Sequence, residues 1–167
     1  MRELVFTGEV RSNKGQFSDM EIPGRGQLEQ APDDWPTQLC RGSFNVGISD
    51  GGFPDGFDEL GEGEGVQKLD RGSFAPEFLI HHNRIRNNSL KPRKGMPLRG
   101  HAQVWRATIE LPGRQPPLAC WMLRRIGSTI KRQIELVSDT HLKTTLDTDD
   151  GQTVVVRVFA GVAGKSQ

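Results

Sequence analysis

A chain of 167 residues, with 22 Lys and Arg against 21 Asp and Glu and a net charge of +1, is sized for one domain that buries roughly 70% of its surface without covalent staples. That balance, with the basic residues spread along the chain, argues against a dedicated nucleic-acid binder and leaves room only for a local phosphate-binding patch. Cys40 and Cys120 give neither a disulfide framework nor metal-ligand spacing, no run approaches the ~20 apolar residues of a membrane span, and the opening Met1-Arg-Glu-Leu-Val-Phe lacks the apolar stretch of a secretion signal, so the expectation is a cytoplasmic protein with two reduced, buried thiols.

Taken in chain order, Leu4-Val-Phe-Thr-Gly-Glu-Val10 reads as a first strand. Residues 12–16 break it with turn formers, and residues 17–22, with Phe17, Met20 and Ile22 as their apolar positions, read as a returning strand. Residues 23–38 carry Pro23, Gly24, Gly26, Pro32 and Pro36 and are expected to form a loop with one helical turn. Residues 38–48 read as a strand bearing Gly42-Ser43-Phe44-Asn45-Val46. The glycine- and acid-rich stretch 49–65 reads as a solvated insertion. Its acids do not match a helix–loop–helix calcium site, because Gly52 and Pro54 stand at ligand positions.

A weak strand follows at 74–80, then a basic connection with His81-His82 and Lys91-Pro-Arg-Lys94. Adjacent histidines on a strand point to opposite faces, a poor metal pair. Residues 100–111 read as a strand, 113–117 as a hairpin-type loop, and 118–123 as a fully buried strand. Arg124 and Arg125 close that strand, placed either to hold a phosphate or to face solvent. The last unit is a strand at 134–138, a turn at 140–146 with Asp139 as its N-cap, a tight turn at Asp149-Asp150-Gly151, and a valine-rich strand from Thr153. No helical periodicity is sustained anywhere. Many short strands with glycine and proline turns point to an all-β sandwich or barrel, and closure into a barrel removes exposed edges. The domain is expected to span 1–160, with 161–167 a fraying tail.

Three places carry polar chemistry. In Gly42-Ser43-Phe44-Asn45-Val46, period two puts Ser43 and Asn45 on one face and Phe44 and Val46 on the other. A hydroxyl beside an amide carbonyl suits Mg²⁺ next to phosphates, and equally suits a half-exposed polar strand face. Glu135 falls on the face opposite Ile134 and Leu136, where alternation alone reads it as an exposed strand glutamate. The loop Asn13-Lys14-Gly15-Gln16 and the short helix start at Thr140 could each present backbone donors to an anion, and each is equally an ordinary turn.

Together these pieces resemble the CTP-dependent riboflavin kinases of archaea. The resemblance rests on Gly8-Glu9-Val10 before a nucleotide loop at 12–17, on Gly42-Ser43-Phe44-Asn45-Val46, on Arg124-Arg125 with Ser128 or Thr129, on Ile134-Glu135, on Thr140-His141-Leu142-Lys143 with Leu146, and on Asp150-Gly151 before a valine-rich strand. It implies a mainly β fold, a small closed six-stranded cradle-loop barrel with one or two short helices and long loop insertions. It implies transfer of the γ-phosphate of CTP or another nucleoside triphosphate to riboflavin, giving FMN, or to a related small alcohol. Ser43 and Asn45 would bind Mg²⁺, and Asn13, Lys14, Gly15 and Gln16 the phosphates. Glu135 and one of Ser128 or Thr129 would meet the flavin, with Glu135 also orienting the hydroxyl or taking its proton, and Thr140, His141, Leu142 and Lys143 would meet the nucleotide. The chain differs from the family in having one glycine where that loop carries several, Ser43 for a threonine, and longer stretches at 49–70 and 81–100. A non-catalytic barrel of the same ancestry, binding a small ligand, nucleotide or nucleic acid, is the alternative. Arg84 to Arg99 is basic but lacks the interleaved aromatics of a nucleic-acid surface.

Overall fold

In the computed structural model, residues 2–12, 15, 17, 20–70, 73–113 and 116–161 are described. Seven strands form: β1 (Glu3–Arg11), β2 (Phe44–Gly47), β3 (Phe78–Ile80), β4 (Ala102–Glu110), β5 (Leu118–Arg125), β6 (Gln133–Val137) and β7 (Thr153–Phe159). One α-helix of five residues, α1 (Leu142–Leu146), is found among the described residues, together with short 3-10 turns. Six strands close into an antiparallel barrel in the order β4-β5-β6-β2-β1-β7, with β7 pairing back onto β4. The extra strand β3 lies against the first residues of β4, Phe78 opposite Val104 and Ile80 opposite Ala102. No helix is long and apolar enough to cross a membrane among the described residues.

Alternation decides what each strand buries. Leu4, Phe6 and Val10 of β1, Phe44 and Val46 of β2, Trp105 and Ile109 of β4, Met122 of β5, Ile134 and Leu136 of β6, and Val154, Val156 and Val158 of β7 fill the barrel interior. The opposite faces of β3, β4, β5 and β6 carry Phe78, Ile80, Val104, Trp121, Leu123 and Val137, which would be exposed in a bare barrel. The segment between β1 and β2 covers them. Phe17 and Trp35 are fully buried there, with Met20, Ile22, Leu28 and Leu39 partly so. Trp35 sits edge-on to Phe78 at 5.2 Å and to Trp121 at 5.1 Å, and its indole N–H donates to the Pro23 carbonyl at 3.0 Å. Of the strand expected at 17–22, the described residues show a single bridge, Glu21 to Arg86. Its apolar residues serve as a coat on the outside of the barrel. The single helical turn expected in 23–38 is the 3-10 turn Arg25–Gln27.

The glycine- and acid-rich insertion is likewise not a solvated loop. It folds into three 3-10 turns, Asp50–Gly52, Phe57–Glu59 and Gly65–Leu69. Phe57, Leu60, Val66 and Leu69 join the interior core, where Phe53 and Phe57 meet Phe6 at 6.1 and 5.6 Å. Gly52 permits this fit, since a Cβ there would stand 2.0 Å from the Thr7 carbonyl oxygen. The acids stay at the surface while the aromatics plug one end of the barrel.

The two adjacent histidines are not on a strand. His81 caps the 3-10 turn His82–Arg84, its Nδ1 accepting the Asn83 N–H. Its ring lies 4.5 Å from that of His82 and 4.4 Å from that of His101. The Nδ1 atoms of His82 and His101 are buried without a hydrogen-bond partner among the described residues. Burial first, then His81 and His82, push His101 from the ordinary 6.5 to about 4; His82 is lowered by burial, His81 and Lys91. Below pH 6.5 the unfolded chain therefore takes up a proton that folded His101 refuses until about pH 4, so stability is lost as pH falls through that window. We expect urea unfolding to show a loss on the order of 2 kcal/mol between pH 7.5 and 5, and His101→Gln to remove the larger part of that slope.

Candidate functional site

Strands β2 and β6 pair with Asn45 directly opposite Glu135. Because their neighbours Phe44, Val46, Ile134 and Leu136 point into the barrel, Asn45 and Glu135 point outward together. They do not meet solvent. Residues 15 and 17 of the connection after β1 cross over them, leaving Glu135 4% and Asn45 5% exposed. The hydroxyl of Ser43 donates to Glu135 Oε2 at 2.9 Å and lies 3.4 Å from Asn45 Oδ1. The backbone N–H of Phe17 donates to the same Oε2 at 2.9 Å. Gly15 packs so closely that a Cβ would stand 2.3 Å from Asn45 Oδ1 and 2.5 Å from the Glu135 carboxyl. The readings of Glu135 as an exposed strand residue, and of the Asn45 face as half-exposed, are thus corrected: Gly15 and Phe17, distant from both in sequence, bury them.

Arg125 shares this outer side, two residues beyond Leu123, which itself pairs with Glu135. It is 8% exposed, its Nη1 donates to Asn88 Oδ1 at 2.8 Å, and its Nε finds no partner among the described residues. Burial pulls its pKa down, and the Glu135 carboxylate acts against that. Arg124 points the other way and is held by both Asp70 oxygens at 2.8 and 3.1 Å and by the Ser128 and Ile130 carbonyls. Neither arginine faces solvent, and the donors of Arg124 are engaged by the protein.

Beside the Ser43–Asn45 pair opens a cavity of about 250 Å³. Its walls come from the end of β1 (Arg11, Ser12), the approach to β2 (Cys40, Arg41, Ser43), β2 itself (Asn45) and the turn into α1 (Thr140, His141, Leu142, Lys143). The structure therefore brings Ser43, Asn45 and residues 140–143 to one cavity. It leaves Glu135 next door, its carboxylate turned to residues 15–17. Ser128 and Thr129 do not line the cavity; Ser128 is buried near Arg124, its hydroxyl accepting the Ile130 N–H at 3.0 Å, and Thr129 is exposed. Of the loop 13–16, Gly15 is in contact with the site, while Asn13, Lys14 and Gln16 lie outside the described residues.

The cap of α1 also differs from expectation. His141, not Asp139, is the N-cap, its Nδ1 accepting the Thr144 N–H at 3.3 Å. Three residues earlier, the Ser138 hydroxyl reaches the Asp139 carboxylate and accepts the Thr140 N–H, so an N–H at the start of the helical turn that Asp139 was expected to cap is already taken. Lys143 Nζ reaches Ser12 Oγ at 3.1 Å and Asp150 at 3.4 Å, and Ser12 bonds Asp150 in turn. This triad ties the end of β1 to α1 and to the turn before β7. The Ser12 hydroxyl, then Lys143, hold the Asp150 carboxyl below the usual carboxylate range.

Cys120 is buried, which pushes its thiol up to about 12, whereas Cys40 is half-buried and lines the cavity; only the first fits the expected pair of buried thiols. Among the described residues, no group of three or more His, Cys, Asp or Glu side chains is arranged to hold a metal ion. The Ser43 hydroxyl keeps oxygen lone pairs after donating its proton to Glu135, so two neutral oxygens from residues that line the cavity fit a Mg²⁺ shared with ligand phosphates and water and do not fit a cation held by protein alone. Arg11 and Arg41 were not anticipated from the sequence, whereas Ser12 opens the stretch read as the nucleotide loop. Adjacency to Gly42-Ser43 was the signal that could have found Arg41. No protein-family model matches the chain, and no curated protein matches it.

Proposed function

We propose that the chain is a phosphotransferase that moves the γ-phosphate of CTP or another nucleoside triphosphate onto riboflavin or a related small alcohol. The observation that supports this best is the single cavity that gathers Ser43, Asn45 and residues 140–143, rimmed by cations and adjoining a buried glutamate. Phosphoryl transfer depends on positioning and charge neutralisation more than on covalent chemistry, and those are what this arrangement offers. The donor lies in the cavity with its nucleoside end against Thr140, His141, Leu142 and Lys143. Ser43 and Asn45 hold the Mg²⁺, which when bound supplies positive charge at the phosphates. The acceptor's hydroxyl oxygen bonds to the γ-phosphorus, the bond to the β-phosphate oxygen breaks, and the leaving diphosphate keeps the electron pair. Glu135 orients the hydroxyl and takes its proton, once the Phe17 N–H has been released from the carboxylate.

Asn45→Ala is expected to leave the fold intact and to lower Mg²⁺-dependent formation of FMN from CTP or ATP by at least about 100-fold, measured by chromatography of the flavin products. Unchanged riboflavin fluorescence at high protein, together with no phosphorylated flavin from either donor, would sink the riboflavin assignment. A second reading, a barrel that binds without catalysis, is favoured by one observation: the Ser43 hydroxyl and the Phe17 N–H already occupy Glu135. Saturable binding of nucleotide or flavin in a thermal-shift assay, without turnover of any small alcohol, would select it.

A further inference from the structure

Two described residues of the loop that the family resemblance makes a phosphate cradle, Gly15 and Phe17, are engaged elsewhere in this chain. Gly15 lies on Asn45 and Glu135, Phe17 gives its N–H to Glu135, and the Phe17 ring is buried in the outer core. Backbone donors aimed at a carboxylate cannot also hold phosphates. The cavity is instead charged by side chains. Arg11, Arg41 and Lys143 reach it from three separate parts of the fold, and none of the described residues lining it is acidic.

These three cations are not equivalent. Arg11 lies 3.7 Å from Glu9, and Lys143 lies 3.4 Å from Asp150, which Ser12 also bonds. Arg41 is exposed and has no ion pair or hydrogen bond among the described residues. Its place is fixed from both sides. The Cys40 N–H bonds the Ser138 carbonyl at 2.8 Å, and Gly42 takes a left-handed φ of 84°, which turns the chain from Arg41 at the rim into the Ser43 and Asn45 oxygens.

We propose that Arg41 grips the donor's phosphate chain in this protein, a positioning role that side-chain charge takes over from loop amides. This rests on the phosphotransferase reading and adds to it the residue that confers affinity for a polyphosphate. A planar guanidinium offers paired N–H donors matched to phosphate oxygens, which a lysine ammonium does not.

The test is isothermal titration of the full chain with inorganic tripolyphosphate, with and without Mg²⁺, for wild type, Arg41→Ala, Arg41→Lys, Asn45→Ala and, as a charge-matched control on the far side, Arg84→Ala. Arg41→Ala is expected to weaken binding about 10-fold or more in both conditions at an unchanged melting temperature, with Arg41→Lys between it and wild type. Asn45→Ala is expected to lose only the Mg²⁺-dependent part, and Arg84→Ala nothing. If Asn45→Ala behaves so while Arg41→Ala binds like wild type, the reading of the site stands and the role of Arg41 falls. If Arg84→Ala weakens binding as much as Arg41→Ala, the effect is net charge and the proposal is overturned. If wild type binds neither tripolyphosphate nor CTP at millimolar concentration, both fall.

Discussion

Trp35→Ala is expected to lower the unfolding free energy by about 3–5 kcal/mol, among the largest losses available to a single substitution in this chain. Trp35 has no exposed surface, and it is the one large ring from the 17–40 segment wedged between Phe78 of β3 and Trp121 of β5. Alanine would remove both edge-on ring contacts and leave the Pro23 carbonyl without its indole donor. The cavity would lie between coat and barrel rather than inside the barrel, so the coat should loosen before the barrel does. The expected signature is a lower urea midpoint, with early proteolytic cleavage confined to residues 20–40. Cleavage appearing in the strands at the same rate would show that coat and barrel unfold as one unit.

Glu135 gives the second large effect, in two separable parts. In Glu135→Ala the Ser43 hydroxyl and the buried Phe17 N–H both lose their acceptor. Leaving buried donors unsatisfied costs about 1–3 kcal/mol each, so a loss of about 2–4 kcal/mol is expected. Glu135→Gln keeps a carbonyl oxygen for both donors and should cost far less. On the proposed role of Glu135 as proton acceptor, both variants are expected to lower phosphorylation of the small alcohol by about 10²–10⁴-fold. Denaturant unfolding and product formation, measured on the same pair, keep the two roles apart. A glutamine variant with full turnover would show that Glu135 only anchors residues 15–17.

What could be read from the sequence was what depends on near neighbours. β-rich composition in Thr153-Val-Val-Val-Arg-Val and in Leu4-Val-Phe located β7 and β1, and Val154, Val156, Val158, Leu4 and Phe6 face the interior with a period of two. Period two also put Ser43 and Asn45 on one face and Glu135 opposite Ile134 and Leu136. Burial of that face could not be read, because it is made by Gly15 and Phe17, far off in the chain. The insertion at 49–70 misled for a related reason: Phe53, Phe57, Leu60, Val66 and Leu69 are few and stand among glycines, a proline and acids that mask their spacing, yet each finds the same hydrophobic interior. The capping residue shifted from Asp139 to His141 because neighbouring polar side chains compete for the same few N–H groups.

The pairing of Glu3 with Phe159 has a consequence for how this molecule comes to exist. β7 completes two seams at once, one with β1 and one with β4. A chain emerging from the ribosome would carry β1 with one edge unmatched until β7, the last strand of the barrel, had been made. Joining such distant partners is entropically slow, and proteins ruled by non-local pairing fold in roughly milliseconds to seconds. The barrel's earliest strand in chain order thus waits for its latest, and until then its inward-facing Leu4, Phe6 and Val10 must be shielded by something other than the finished barrel.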